Sequence, residues 1–559
     1  MIGIPLFSYI HEDMMQTKNF NDYLSGERIL QELIRFRIQE AIKRHPAQRL
    51  AAISPQAQDP IKVVPPDFTN LFPPRRQWKQ RPKRKQRQHA RQQNILRRQL
   101  ELTVRAAMRS EDQPNAPWHL ALETIIRQIQ ERSNMTNPQF DPPEAFLVRK
   151  DTGGTRTLHA FRNPVQRVLL ALLTHYLSDQ IDSALSPCSY AFRKDATLNR
   201  TKAVEKLNEY RAMHRDVYVA ECDLHDFFDH VPHTAIRQSL APFHLDPQAL
   251  RLLDAYLEAG ATSQGTGIPQ GGAPSPILAN LVLTPVDAAV HNPAPYVQLC
   301  QLDAAPSAVD NAHITPVFYA RFCDDILIAH PDPEVCLSGF ASILAAIRAQ
   351  GLQYHPPVQV ASYGPAFYEI KSKYPYRWAD PGQHENAVPW VPFLGYQIRH
   401  DGRLRVRTKS MRKQLDKIND DIESVRLLVQ RTQPEKLRVG GDTILSRTAS
   451  HLVSMSVGRI SRSGSGPMQP CWRDAFTLLD VNPSASLQCK QLDHNRERQL
   501  RRLKRAFIQQ GILNPPPDPP PPNLESATQK PKPFYLGAPF SYHAALRHEN
   551  NLPSNNYEA

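Results

Sequence analysis

Apolar residues at Val165, Val168, Leu169, Leu172, Leu173, Tyr176 and Leu177 recur three and four apart, so they trace one face of a helix. Asn163 and Pro164 stand immediately before them as an N-cap and a first-turn proline, which sets where that helix begins. Other runs keep a different rhythm. Val217 to Ala220, Val317 to Phe322 and Ile326 to Ala329 are short and β-rich, and they alternate with helical stretches. That alternation predicts an α+β core. Beyond about residue 405 the strand signals fade, and basic amphipathic helices such as Lys409 to Gln430 and Gln491 to Gln509 replace them. Near the N-terminus, Tyr23 to Ile42 reads as helix. No internal repeat is evident.

Composition narrows the picture. In a chain of 559 residues, 41% hydrophobic content is enough to bury several cores, which excludes wholesale disorder. Collagen, coiled-coil and disulfide-scaffold patterns are excluded too. The 68 Lys plus Arg against 54 Asp plus Glu leave a charge of +14, and an excess of this sign most often meets nucleic acid. No run of 18 apolar residues occurs, and His11, Glu12 and Asp13 interrupt the stretch a signal peptide would need. A soluble, cytoplasmic protein with no membrane partner is expected. Seven cysteines without a C-x-x-C pair argue against a disulfide framework and a zinc ribbon alike.

Two segments stand out by composition. Pro515 to Pro522, broken only by Asp518, should be an extended polyproline stretch, read as a stiff spacer ahead of ligand for a proline-binding groove. Arg75 to Arg98 holds eleven basic residues and no acidic one, with Arg81, Lys83, Arg84, Lys85 and Arg87 at its centre. Such density repels itself unless it is solvated or laid on phosphates, and RNA is the expected partner. Residues 1–110 therefore read as an N-terminal extension carrying a basic arm at 75–98.

Three constellations carry chemistry. A β-run ends at Asp223 and is followed by an aromatic turn that includes Phe228. A second pair of β-runs meets at Asp324 and Asp325, where two adjacent carboxylates on a tight turn repel unless a cation offsets them. Between these lies Gly265 to Asn280, whose Pro269-Gln270-Gly271-Gly272 core lets backbone approach a ligand closely before a helix starts at Ser275-Pro276. Alternation along the strands turns Cys222 and Cys323 away from the aspartates and into the core. His225, His230 and His233 match no zinc spacing and read as ordinary packing.

In this order the three segments resemble the palm of reverse transcriptases, with an Asp-bearing strand, a P-Q-G loop and a Y-x-D-D-type hairpin. The likeness extends to Arg149-Lys150 through Arg156, which resembles the fingers hairpin, to Ser189-Tyr190-Ala191-Phe192-Arg193, and to Phe393-Leu394-Gly395-Tyr396, which resembles the primer grip. It covers about residues 145 to 405. Phe322-Cys323-Asp324-Asp325 stands where Tyr-Ala-Asp-Asp is commoner, and Ala191 where glycine is usual. The resemblance implies a right-hand polymerase: fingers at 111–215, an antiparallel palm at 216–405, a helical basic thumb at 406–510 and a proline-rich tail at 511–559. It implies catalysis and metal binding by Asp223, Asp324 and Asp325, with two magnesium ions per site, roughly 3.5 to 4 Å apart, and manganese as the alternative. Lys150, Arg156, Phe228, Gln270, Gly271 and Lys373 would bind nucleotide. The lysine before the primer grip falls on Lys371 or Lys373, with Lys373 the assignment. Tyr190, Arg193, Phe393, Leu394 and Gly395 would contact primer and template. Phe228, five residues after the metal aspartate, would leave no room for a ribose 2′-hydroxyl and so select deoxynucleotides.

The palm motifs look closest to the bacterial group of intron maturases, retron enzymes and defence-associated enzymes. No downstream Cys/His module of an endonuclease follows, and the long extension and tail favour a stand-alone enzyme of antiphage defence that copies a noncoding RNA, alone, as a homo-oligomer or with a second protein. An endonuclease-free maturase, template-independent DNA synthesis and a catalytically idle RNA-binding scaffold are the alternatives.

Overall fold

A computed structural model describes residues 19–43, 49–57, 71–72, 117–149, 155–214, 216–291, 316–457, 471–479, 482–514 and 538–541. The basic arm with Arg81, Lys83, Arg84, Lys85 and Arg87, the residue Lys150, most of 291–316 and the Pro515 to Pro522 run lie outside them.

The first described elements are helices α1 (Gly26–Lys43) and α2 (Pro117–Ser133), then the hairpin β1 (Glu144–Arg149) and β2 (Thr155–Ala160). Helix α3 (Pro164–Ile181) starts where Asn163 caps it, its side chain accepting from the Val165 N–H, and α4 (Arg200–Met213) follows. Strand β3 (Val217–Asp223) leads into α5 (His233–Leu240), α6 (Pro247–Gly260), α7 (Ser275–Val282) and α8 (Thr284–His291). The second hairpin, β4 (Phe318–Phe322) and β5 (Asp325–His330), is followed by α9 (Pro333–Ala349) and β6 (Lys373–Trp378). A three-stranded sheet, β7 (Trp390–Phe393), β8 (Tyr396–Arg399) and β9 (Leu404–Val406), hands over to the helices α10 (Thr408–Arg431), α11 (Gly441–Val457) and α12 (Pro483–Gln509).

The fold is α+β, a right-hand polymerase arrangement with its antiparallel palm sheet in the order β4-β5-β3-β6. Strand alternation divides the core in two. Ile326 and Ile328 enter one cluster with α3, α6 and α9, while Leu327 and Ala329 enter a second with α4, the small sheet and the thumb helices. Both faces of the palm are thus covered, and most of its strand positions are buried, the rest partly so but for Asp325.

The N-terminal segment is built into the hand at two places. Phe20, Tyr23, Ile29 and Leu33 are buried in the first core, where the Phe20 N–H donates to Asp246 Oδ2 at 3.0 Å. Ile53 is buried in the second core, the Arg438 N–H donates to the Ile53 carbonyl at 2.9 Å, and Arg49 pairs with Asp421 of α10. In the tail, Phe540 is buried against Trp472, and the Phe540 and Ser541 N–H groups donate to Asp493.

Candidate active site

Adjacent strands converge three carboxylates at one end of the palm sheet. Asp223 closes β3 directly opposite Asp325 at the start of β5. Asp324 occupies the two-residue turn from β4 with Cys323, whose φ of 61° lies in the left-handed region. Cys222 and Cys323 are buried, as alternation requires. The Asp223 backbone is fixed on both sides: its N–H donates to Ser372 Oγ at 3.0 Å and its carbonyl accepts from the His355 N–H at 3.0 Å.

Crowding shows in the acidities. Loss of hydration raises the Asp324 carboxyl above the usual range and Asp223 adds to it, while Arg156, reaching over from β2, pulls the other way. Asp325 is pushed up to about 7, first because the cleft walls hold water away and then by Asp324 and Asp223, with Arg407 and Lys371 opposing. Its outer surface nevertheless stays open to the cleft. Lys371 already answers this concentration of negative charge, its Nζ standing 2.6 Å from Asp223 Oδ2. A hard divalent cation would satisfy the same demand, and the oxygen-only donor set suits it. Among the described residues no three His, Cys, Asp or Glu side chains form a ready-made metal cage. A magnesium ion bound through one or two carboxylates completes its shell with water and substrate phosphate, so an open half-site fits that chemistry.

Lysine placement departs from expectation. Lys373 sits on β6 opposite Glu221, is 2% exposed, and donates to Glu221 Oε2 at 2.9 Å, with Tyr376 completing the buried group. Lys371, two residues earlier and ahead of the strand, is the lysine that reaches the carboxylates. Both lysines line the cavity beside the carboxylates, but the Lys373 ammonium, expected to bind nucleotide, is held by Glu221, whereas that of Lys371 reaches Asp223.

The Gln270 carbonyl accepts from the His159 N–H of β2 at 2.8 Å, so the P-Q-G loop is stitched to the fingers hairpin. Gly271 has a φ of 112°, and a Cβ there would lie 2.7 Å from the His159 carbonyl oxygen, so the close approach needs glycine. Phe228 is half-buried against the first core, stacked edgewise on Phe227 at 5.4 Å, and its carbonyl accepts from the Ile268 N–H.

A cavity of about 930 Å³ opens beside Asp223 and Asp325 between the palm, the small sheet and the start of α10. Leu394 and Gly395 line it from the β7–β8 turn, where φ values of 47° and 87° match a two-residue type I′ hairpin, and Phe393 lines it while buried in the second core. Arg407, Lys409 and Arg412 also line it and were missed from sequence, although each follows the last β-run and opens a basic helix. Tyr190 is buried in the second core. Arg193 is 5% exposed, and it donates to Asp182 Oδ1, the Asp182 carbonyl and the Ser186 and Ser189 carbonyls. Its donors are spent on the fold, which corrects its expected role as a primer or template contact.

Residues 148–364 match the family described as reverse transcriptase (RNA-dependent DNA polymerase), so the chain carries a reverse transcriptase domain. It is 30% identical over 156 residues to the COX1/OXI3 intron 1 protein of Saccharomyces cerevisiae, covering 27% of this chain and 18% of that one. Protein YkfC of Escherichia coli is 29% identical over 160 residues, 27% of this chain and 41% of that one. The chain thus spans under half the length of these curated relatives. Among solved structures, telomerase of Candida albicans with a telomeric RNA fragment aligns over 77% of this chain and 79% of that one, at 10% identity and a TM-score of 0.29. Telomerase of Candida tropicalis gives 11% identity over 76% and 72%, with a TM-score of 0.32. No described helix is long and apolar enough to cross a membrane.

Proposed function

We propose that this chain is an RNA-directed DNA polymerase in which Asp223, Asp324 and Asp325 hold magnesium and add deoxynucleotides to a primer 3′-hydroxyl. The convergence of these three carboxylates at one sheet end, with the Asp324 and Asp325 carboxyls held above their usual pKa range and an ammonium already set against Asp223, carries the reading. Bound metal would activate the hydroxyl and offset charge on the leaving pyrophosphate. Arg156 and Lys371 stand where triphosphate charge needs neutralising. Gln270 and Gly271 set the nucleotide against the fingers, and Phe228 walls off the ribose C2′ side. Leu394 and Gly395, with Arg407, Lys409 and Arg412, would receive the primer strand.

For its setting we infer bacterial antiphage defence, with a noncoding RNA as template and the cytoplasm as location. In support of a bacterial setting, the chain is 29% identical over 160 residues to protein YkfC of Escherichia coli. The likeness to yeast intron proteins favours a second reading, an endonuclease-free maturase. Both are tested on protein purified with its natural neighbouring DNA present, given labelled dNTPs or rNTPs with and without RNase pretreatment, and any product sequenced. DNA complementary to a co-purified RNA, absent from the Asp324→Ala/Asp325→Ala protein, is the expected result, and its sequence separates intron from noncoding RNA. RNase-resistant homopolymer would mean untemplated synthesis. RNA binding without any DNA product would make the chain a scaffold.

A further inference from the structure

Next to the catalytic hairpin, one large side chain is held where folding alone would not put it. Phe192 is 54% exposed, and its φ of 54° is a left-handed conformation that bulky residues rarely adopt. Such a conformation costs on the order of 1–3 kcal/mol and persists only where neighbours over-determine it. Here they do. The Tyr190 N–H donates to the Arg321 carbonyl and the Arg321 N–H to the Cys188 carbonyl, both at 2.9 Å. Asn280 Nδ2 donates to the Ala191 carbonyl at 2.6 Å, and Arg193 clamps the carbonyls of Ser186 and Ser189.

Beneath this loop lies a fully buried ion pair. Arg321 donates through Nε and Nη2 to both oxygens of Asp287 at 2.7 Å, and through Nη1 to Asn280 Oδ1 at 2.9 Å. Burying such a pair gains little stability and fixes one conformation instead. The ring so presented lies 6.5 Å from that of Phe322, the residue opposite Asp325, with planes tilted by 38°. Two aromatic faces therefore border the turn that carries Asp324, one of them open to solvent.

We propose that Phe192 is a stacking platform for a nucleobase of the bound nucleic acid beside the metal-binding hairpin. The inference rests on the polymerase reading of that hairpin. A base offers a π-face whatever its identity, so the contact holds position without reading sequence. Template and incoming nucleotide share this chemistry, and the test separates them.

The full-length variants Phe192→Ala, Phe192→Gly and Phe192→Tyr are compared with wild type for melting temperature, affinity for single-stranded RNA and KM for dNTP. Phe192→Gly melts no lower than wild type, because glycine removes the backbone strain. Phe192→Ala and Phe192→Gly bind RNA about 5- to 150-fold more weakly, the range of a lost base stack, and Phe192→Tyr recovers most of it. An abasic residue moved along the RNA locates the base: at one position wild type loses affinity and Phe192→Ala loses no more. If RNA affinity holds but KM for dNTP rises by the same factor and Phe192→Tyr restores it, the stacked base is the incoming one. Unchanged RNA affinity and unchanged KM in Phe192→Ala would overturn the proposal, as would a loss that Phe192→Tyr fails to rescue. The RNA-binding arms need no DNA synthesis, so a wild-type protein that makes no DNA refutes the polymerase reading while leaving this contact testable.

Discussion

Lys371 and Lys373 differ by two positions and by everything around them. On the proposed polymerase reading, Lys371→Gln should lower kcat about 100-fold with little change in melting temperature, because it removes the charge set against Asp223 at the mouth of the site. Lys373→Gln should instead lower the melting temperature, since Glu221, only partly exposed, would keep the Tyr376 hydroxyl but lose its cation. Equal thermal stability of the two variants would refute the distinction. Asp325 gives a signed pH effect. Its carboxyl shifts from 3.8 unfolded to about 7 folded, so the metal-free folded state keeps a proton that the unfolded chain releases between those values. That contribution is present below pH 4 and is lost as pH rises through 7. Metal-free Asp325→Asn should therefore melt above wild type at pH 8 and match it near pH 4, and parallel melting curves across this range would count against the crowding. Phe228→Val should admit ribonucleotides, read as the ratio of kcat/KM for rNTP and dNTP, and an unchanged ratio removes Phe228 from sugar selection. The aspartates were legible because paired charge on a β-turn has few structural reasons to exist. The lysine was not, because a bulge between Val219 and Glu221 shifts the register of β6, and no spacing rule counts through a bulge.

Among the elements, those whose start or turn is written in side-chain chemistry were readable, such as α3 behind Asn163-Pro164 and the β4–β5 hairpin. Strands β6 and β7 were not. Each carries a proline, Pro375 and Pro392, which argues against a strand in sequence, and each is an edge strand, where the missing N–H costs no ladder bond. The α8–β4 link was hidden too, since nothing at Asp287 and Arg321 announces that they will meet. That pair allows a clean separation of stability from positioning. Replacing it by Arg321→Met with Asp287→Leu, and Tyr319→Phe so that the hydroxyl donating to Asp287 is not orphaned, should hold the melting temperature while raising the Mn²⁺ concentration for half-saturation, followed by electron paramagnetic resonance, about 10- to 100-fold. Wild-type Mn²⁺ binding in the folded triple variant would show that the pair does not set the hairpin.

At the scale of the molecule, the N-terminal segment ties the two ends of the hand together. Residues 20–43 lie on α3 and α6 of the fingers side, and residues 49–57 lie on α10 and the loop after it, where Ser54 and Thr432 share a hydroxyl contact of 2.7 Å. Asp421, which receives Arg49 and faces His451 at 3.4 Å, is the pivot of the second attachment. Asp421→Ala should raise amide hydrogen exchange in both 49–57 and α10, whereas faster exchange in α10 alone would mean that the segments are not coupled. Sequence gave no hint of this bracing, because apolar spacing tells which face is buried and not against what. It also puts an order into synthesis. Arg49 and Asp421 are 372 residues apart, so at about 5–20 residues per second the first partner waits roughly 20 to 75 s outside the ribosome for the second. The palm strands, the last of which ends at Trp378, are all made inside that interval, so the sheet that carries the carboxylates can form before its N-terminal brace closes.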